Sequence, residues 1–484
     1  MNQIRNTQNA SAKADAIAAP LANPGGQGVL PDNATPSACE AIIPHSIASN
    51  PLPNWVTPMD RSGKAARGRF EQAFLRRRSA MGAGSVLAML AAQPIFAQDL
   101  PVSTPQDLLQ TAKPIGFRSG AFEIYPQVTA DVGYNDNIYN QDQAEVSDGV
   151  FRLRPSVAID ADFSRHAWRI NLNSEFRRYF DQDEENSEQA EAVIAGRLDL
   201  ADRITVTPTA GIARRIERRG TFGDSLRSDA PIAFIEKFGS IGIARTGARI
   251  EARAGVSYNE KDYSDAQVGG RTIDLTGRDV RKIRARGAVY YEVSPSLQVL
   301  GGASYNTLSY EINPTFDRGS EGYSIYTGVR AEITNLLDAE LAIGYGKQDF
   351  KNPGSSDYSG LDFQLTARWV PTPRLQVTAL GSRSVERSPA IDTSAVVQTT
   401  LGVAAEYALG SKTLVRVDAG YNRDDYRGVD RTERRFEAGS SVRYLINDNL
   451  SAFAAAGYRN QTGSGVDPRE YSGMTARIGI TMAL

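Results

Sequence analysis

Three stretches of the chain carry charges at even spacing. Arg152, Arg154, Asp160 and Asp162 form one set, Arg169, Glu175 and Arg177 a second, and Lys282, Arg284 and Arg286 a third. In an extended strand, residues separated by an even number lie on one face. Each set therefore makes a charged wall. Two kinds of chemistry are open to such walls. Facing walls of opposite sign would impose a transverse field and orient dipolar solutes such as sugars. Alternatively, the charges pair across neighbouring strands and fill a narrow interior. Tyr125, Tyr179, Tyr290 and Tyr326 fall on the same faces. They would form either a stacking track for carbohydrate or simple packing.

Covalent chemistry has little to work with. No G-x-S-x-G elbow, H-E-x-x-H or P-loop occurs. A Ser–His–acid site in the exported part would have to use His166, beside Ser164 and Arg165 in a predicted turn. Serine–lysine and carboxylate-pair hydrolases stay open, with no site singled out. Cys39 is the one cysteine and His45 the second histidine, so an internal disulfide and a Cys/His metal site are both excluded. No catalytic residue, metal ligand or cofactor is expected. Asp424, Asp425 and Asp430 read as part of a solvated, negative outer rim.

The elements that must hold these walls are strands. In 358–371, Leu361, Phe363, Leu365, Ala367 and Trp369 alternate with Asp362, Gln364, Thr366 and Arg368. That period of two means one apolar and one polar face. About eighteen such strands (sixteen to eighteen) are predicted between residue 121 and the end, among them 413–425 and 434–446. Their linkers alternate strictly between short and long. SRH at 164–166, SPS at 294–296 and NDN at 447–449 are short; 135–149, 218–232, 262–280 and 426–433 are long, with few apolar residues.

Residues 59–97 have the order of an export signal: FLRRRS, then the short apolar run AMGAGSVLAMLAA, then QPIFAQDL with cleavage after Ala97. Residues 1–58 read as a disordered leader or as the product of a misassigned gene start, with Met59 the true first residue. Residues 98–119 form a lead-in on the periplasmic side and a candidate plug. The unit 120–484 is the strand-rich part.

Strands near thirteen residues are long for a soluble sheet and suit a tilted strand crossing a hydrocarbon layer. An even strand count and alternating short turns and long loops complete the pattern of a single-chain, antiparallel transmembrane β-barrel. Tyr134, Tyr258, Tyr305, Tyr345, Tyr421 and Tyr458 recur mostly at intervals near forty or its multiples. Each ends an odd-numbered strand in step with its apolar face. They are expected to form an aromatic girdle at the outer membrane boundary.

The segment GFRSGAFEIYPQVTADVGYNDNIYNQ at 116–141 resembles the opening of the β-barrel porin type 2 family of Gram-negative outer membranes. The family pattern is G-x-F-x-x-x-P, a strand, then Y-x-D-N-x-Y. Here those residues are Gly120, Phe122, Pro126, Tyr134, Asp136, Asn137 and Tyr139. The resemblance covers most of 112–484. It implies an outer-membrane barrel, with some members encoded beside exopolysaccharide or capsule export genes. The chain departs from barrel custom at GITMAL, where Leu484 stands in the register of a terminal aromatic.

The expected function is a porin-like barrel in the cell outer membrane, passing polar solutes or a secreted polysaccharide. The alternatives are a non-conducting structural or surface-binding barrel and an outer-membrane hydrolase. Expected partners are outer-membrane lipid and lipopolysaccharide, the barrel-insertion machinery, saccharides and periplasmic polysaccharide-export proteins. A formal net charge of -2 argues against a nucleic-acid-coating surface.

Overall fold

The computed structural model describes residues 116–163, 165–201, 203–220, 226, 228–310, 319–334, 336–352, 357–386, 395–427 and 429–484. The expected leader, the export signal and 98–115 of the candidate plug lie outside the described residues. Eighteen long strands follow: β1 Phe122–Asn135, β2 Asp148–Asp162, β3 His166–Tyr179, β4 Ser187–Ala201, β5 Ile204–Ile216 and β6 Ala233–Thr246. Next come β7 Ile250–Tyr263, β8 Val280–Ser294, β9 Leu297–Tyr310, β10 Ser320–Thr334, β11 Leu337–Phe350 and β12 Tyr358–Thr372. The last six are β13 Leu375–Glu386, β14 Ala395–Leu409, β15 Thr413–Arg427, β16 Arg431–Leu445, β17 Leu450–Gly465 and β18 Tyr471–Ala483.

Each strand pairs antiparallel with the next, and β18 pairs with β1, so the sheet closes into a ring. The seam runs from Gln127↔Ala483 to Asn135↔Thr475. The first residues of β1 extend past the end of β18. Their free edge is taken by a three-residue strand, Phe117–Ser119, which folds back through Gly120 and pairs 117 with 124 and 119 with 122. Gly120 has φ 62°, a conformation that costs glycine little. The Gly116 N–H donates to the Leu484 carbonyl at 3.0 Å, and the Leu484 N–H to that of Pro126 at 3.1 Å. The described end of the lead-in thus covers a strand edge.

The two faces of the wall are inverted relative to a water-soluble domain. Outward positions include Ile325 and Ile478, each 67% exposed, and Leu361. Inward positions include Asp131, Thr400 and Asn422, at most 2% exposed. Exposed apolar bands of this extent mark contact with something apolar. No helix among the described residues is long and apolar enough to cross a membrane. Strands of 12 to 16 residues span roughly 40–50 Å at about 3.3 Å per residue. Tilted by about 40°, such strands rise roughly 30–40 Å, so the shortest match a hydrocarbon core and the longer ones carry polar overhang.

One expectation about the linkers is corrected. β15 runs to Arg427 and β16 begins at Arg431, so the connection expected at 426–433 is only 428–430. The strict alternation of linker lengths fails there. The added pairs, Asp424↔Glu433 and Asp425↔Thr432, are polar on both faces and show no apolar alternation to read. The linkers 217–232 and 264–279 are not purely polar. Ile232, Ala266 and Leu275 pack on Phe234 and Tyr263, with Leu226 and Ile273 at the margin, beside a small hairpin 266–268/271–273. Apolar residues scattered over two linkers show no period.

Closure is directly testable. Thr129 and Thr481 face each other across the seam, with hydroxyls 2.9 Å apart. Cysteines at directly opposed strand positions fall within disulfide reach. Thr129→Cys with Thr481→Cys, on a Cys39→Ser background, should cross-link almost completely on mild oxidation of the folded protein. An open sheet would leave both thiols free to alkylation.

Candidate functional site

The inner wall is built from period-two strands, and the ladder decides which charges meet. Asp131 on β1 opposes Arg152 on β2 and is fully enclosed. Arg152 reaches it at 2.8 Å and Arg154 at 2.5 Å. Arg154 lies 4.0 Å from Glu175 on β3, which also accepts from Arg177 at 2.5 Å. On the same pair of strands, Arg169 donates to Asp160 through Nη2 at 2.6 Å. Asp162 is inward by parity at the short-turn end, opposite Ala167. In this sector the walls do not oppose one another in sign; charges pair between adjacent strands, with more arginines than carboxylates.

A second sector centres on Tyr290 of β8, which is 2% exposed. Arg253 and Arg330 lie over its ring at 4.6 and 5.4 Å. Arg253 pairs with Glu251 at 2.5 Å and Arg330 with Glu340 at 3.1 Å. Tyr326 lies flat against Gly302, where an added Cβ would meet its ring at 2.4 Å, and its hydroxyl donates to the Gly287 carbonyl at 3.1 Å. These two rings are committed to the wall and offer no open stacking face. Tyr125 donates to Glu123 at 2.8 Å, and Tyr179 is inward on β3.

The third sector differs. Lys282, Arg284 and Arg286 follow one another inward on β8. Arg284 is flanked by Ser257 and Asn306, and Arg286 by Gly255 and Ser304. Neither arginine has a carboxylate partner among the described residues, and the Nε of Arg286 is buried without a hydrogen bond. Small and neutral neighbours leave this stretch positive.

The six recurrent tyrosines all lie on the outward face. Tyr134 and Tyr345 are more than half exposed. Tyr305 directly opposes Tyr323, and Tyr421 opposes Phe436 and Leu401. Two of the hydroxyls reach a carboxylate: Tyr258 donates to Glu260 on its own strand at 2.7 Å, and Tyr305 to Glu321 on the next strand at 2.9 Å.

At the long-loop end a hub forms that the sequence pattern did not single out. Arg219, just past β5, makes an enclosed pair with Glu185 and donates through Nη1 to Ser228 at 3.2 Å. Its guanidinium lies 5.6 Å over the Tyr139 ring, and its carbonyl accepts from Asn140 at 2.6 Å. The neighbouring Gly220 carbonyl accepts from Tyr471, which is inward on β18. The linker after β5 therefore reaches over the inner side of the β18–β4 sector. The Y-x-D-N-x-Y residues act in the same place. Asp136 accepts the Met474 N–H at 2.6 Å, Asn137 donates to the carbonyls of Gln141 and Ser472, and Tyr139 donates to Gln182. They clasp the first long linker to β18 across the seam.

A profile of the family described as "Putative beta-barrel porin 2" matches residues 110–484. The chain belongs to that family. No curated protein matches the sequence. Among solved structures, a mutant ferric enterobactin receptor from Pseudomonas aeruginosa, in complex with enterobactin, is 9% identical with TM-score 0.44, over 79% of this chain and 85% of that one. The siderophore receptor PirA from Acinetobacter baumannii is 7% identical with TM-score 0.41, over 74% and 80%. A copper transporter, OprC, is 10% identical with TM-score 0.43, over 76% and 81%. At such identities the likeness is one of barrel shape only.

Two remaining sequence readings resolve at this level. The acidic rim is split. Asp424 is buried on the inner face of β15 and accepts from Gln398 at 3.0 Å, whereas Asp425 is outward and pairs with Arg423 at 2.8 Å. Only Asp430 stays in a connection, because β15 extends two residues beyond its expected end. His166 opens β3; its Nδ1 is buried without a hydrogen bond, and Ser164 lies outside the described residues.

Asp131→Ala should be costly, because it strands two enclosed guanidinium groups; a loss of about 3 kcal/mol is expected, read from urea unfolding in lipid. Asp262→Asn on the outward face, where Lys237 is solvent-exposed, should leave the midpoint unchanged. The linkers carry a pH-sensitive tie. Asp229 accepts the N–H groups of Gly269 and Gly270, both at 2.9 Å, and these hold its carboxyl below the usual range. A depressed pKa stabilises the tie above the unfolded value and loses it as pH falls through the folded one. Hydrogen-exchange protection factors at 264–279 should therefore fall below about pH 4, and Asp229→Asn should show that lower protection already at neutral pH.

Proposed function

We propose that this chain is a channel of the Gram-negative outer membrane that passes polar solutes and prefers anions, acidic saccharides among them. The long linkers would face outside and the short turns the periplasm. Membership in a porin family and a closed ring with a polar inner face support the channel reading. Eighteen strands enclose more than their side chains can fill. The observation that carries the anion preference is the Arg284–Arg286 stretch, where neither arginine has a carboxylate partner among the described residues and both strand neighbours are small or neutral. Transport of this kind needs no cofactor and no catalytic group.

A second reading, a closed barrel with a surface-binding role, has one observation in its favour. Arg219, Asn137 and Tyr471 tie several long linkers together over the inner side of the mouth. Planar-bilayer recordings in a salt gradient separate the two. Stepwise openings with a reversal potential on the anion side are expected. Arg284→Gln with Arg286→Gln should lower the anion-to-cation permeability ratio at least about twofold, since fixed lumen charge sets local ion concentration. Silence in the wild type, with openings only after Arg219→Ala, would assign the closed role instead.

A further inference from the structure

On the outward face at the long-loop end, the charges just beyond the tyrosines are mostly neutralised. Lys237 pairs with Asp262 at 2.8 Å, Arg281 with Glu260 at 3.2 Å, Lys347 with Asp349 at 2.5 Å and Arg178 with Glu188 at 2.5 Å. The sector β13–β16 departs from this. There the ladder aligns Arg383 with Thr399, Thr399 with Arg423, and Arg423 with Arg434. All four residues share the outward face with Leu401, Tyr421 and Phe436. Two arginines directly opposed on neighbouring strands repel each other and cost stability. Among the described residues one carboxylate, Asp425, pairs with the row, and it belongs to Arg423. Arg383 and Arg434 make no ion pair or hydrogen bond among the described residues, and Arg434 is exposed.

The row sits directly above a greasy slope. Leu401, Val403, Val417 and Phe436 are each 44–50% exposed on the same strands. An occupant must then be anionic at one end and apolar at the other. Guanidinium forks match phosphate oxygens in geometry and hold them by charge-assisted hydrogen bonds. Thr399 separates two of them on the ladder, with its hydroxyl buried.

We propose that Arg383, Arg423 and Arg434 form a binding site for the phosphate groups of a membrane lipid, whose acyl chains lie on Leu401, Val403 and Phe436. The site rests on the membrane-spanning reading of the barrel. It is independent of whether the lumen conducts.

The test uses the full barrel, purified in an uncharged detergent and delipidated. Three probes are compared by native mass spectrometry: lipid A with both phosphates, fully dephosphorylated lipid A, and inorganic phosphate. The bisphosphorylated lipid should be retained at least about tenfold better than its dephosphorylated form, as loss of charged hydrogen bonds implies. Inorganic phosphate at equal concentration should not displace it. The triple variant Arg383→Gln, Arg423→Gln, Arg434→Gln should lose that preference, while Lys237→Gln with Arg281→Gln keeps it. Folding is checked by heat-modifiable migration, and Arg434→Gln alone serves if the triple variant does not fold. Equal retention of the dephosphorylated lipid, wild-type retention by the folded variant, or displacement by inorganic phosphate would each overturn the proposal.

Discussion

The pairing of β1 with β18 is the constraint on which everything else rests. In hydrocarbon an unpaired backbone N–H or carbonyl costs several kcal/mol, so a sheet there can have no edge. Closure imposes a shear, and shear leaves part of β1 without a neighbour. The three-residue strand Phe117–Ser119 fills that gap at one end. At the other end Asp136 and Asn137 bond to the backbone of Met474 and Ser472. The residues that carry the family pattern are thus the ones that fasten the ring.

Closure also fixes the electrostatics. Once the register is set, Asp131 is confined between two arginines and Tyr290 between two more. Enclosed charges need partners, and Asp131, Asp160 and Glu175 each hold an arginine. Not every arginine is met in this way. Arg284 and Arg286 remain inside, Arg383 and Arg434 outside, on different arcs of the same ring. In the roles proposed above, the inner pair acts on solutes and the outer row on lipid.

The long linkers are not passive connections. The ones after β1, β3 and β5 meet through Arg219, Tyr139 and Gln182, and those after β5 and β7 share a small apolar core around Leu275. Such contacts make the mouth a structured part of the barrel.

Strand positions and faces were legible in the sequence because they depend on a period of two, which is local. The even spacing of Arg152, Arg154, Asp160 and Asp162 was enough to put them on one side, and the step between Val417, Ala419 and Tyr421 enough to put the tyrosine on the other. Partners were not legible. Asp131 carries no pattern that marks it as the carboxylate shared by two arginines, and Arg219 lies in a linker without period. The ends of β15 and β16 were missed because polar residues on both faces hide a continuing hairpin. By itself the sequence determined that there would be many amphipathic strands, which way each side chain would turn, and that the chain would suit a bilayer. Only the tertiary structure decided which charges cancel, which stay bare and how the linkers meet. Those outcomes depend on register and shear around a closed ring, which no single strand contains.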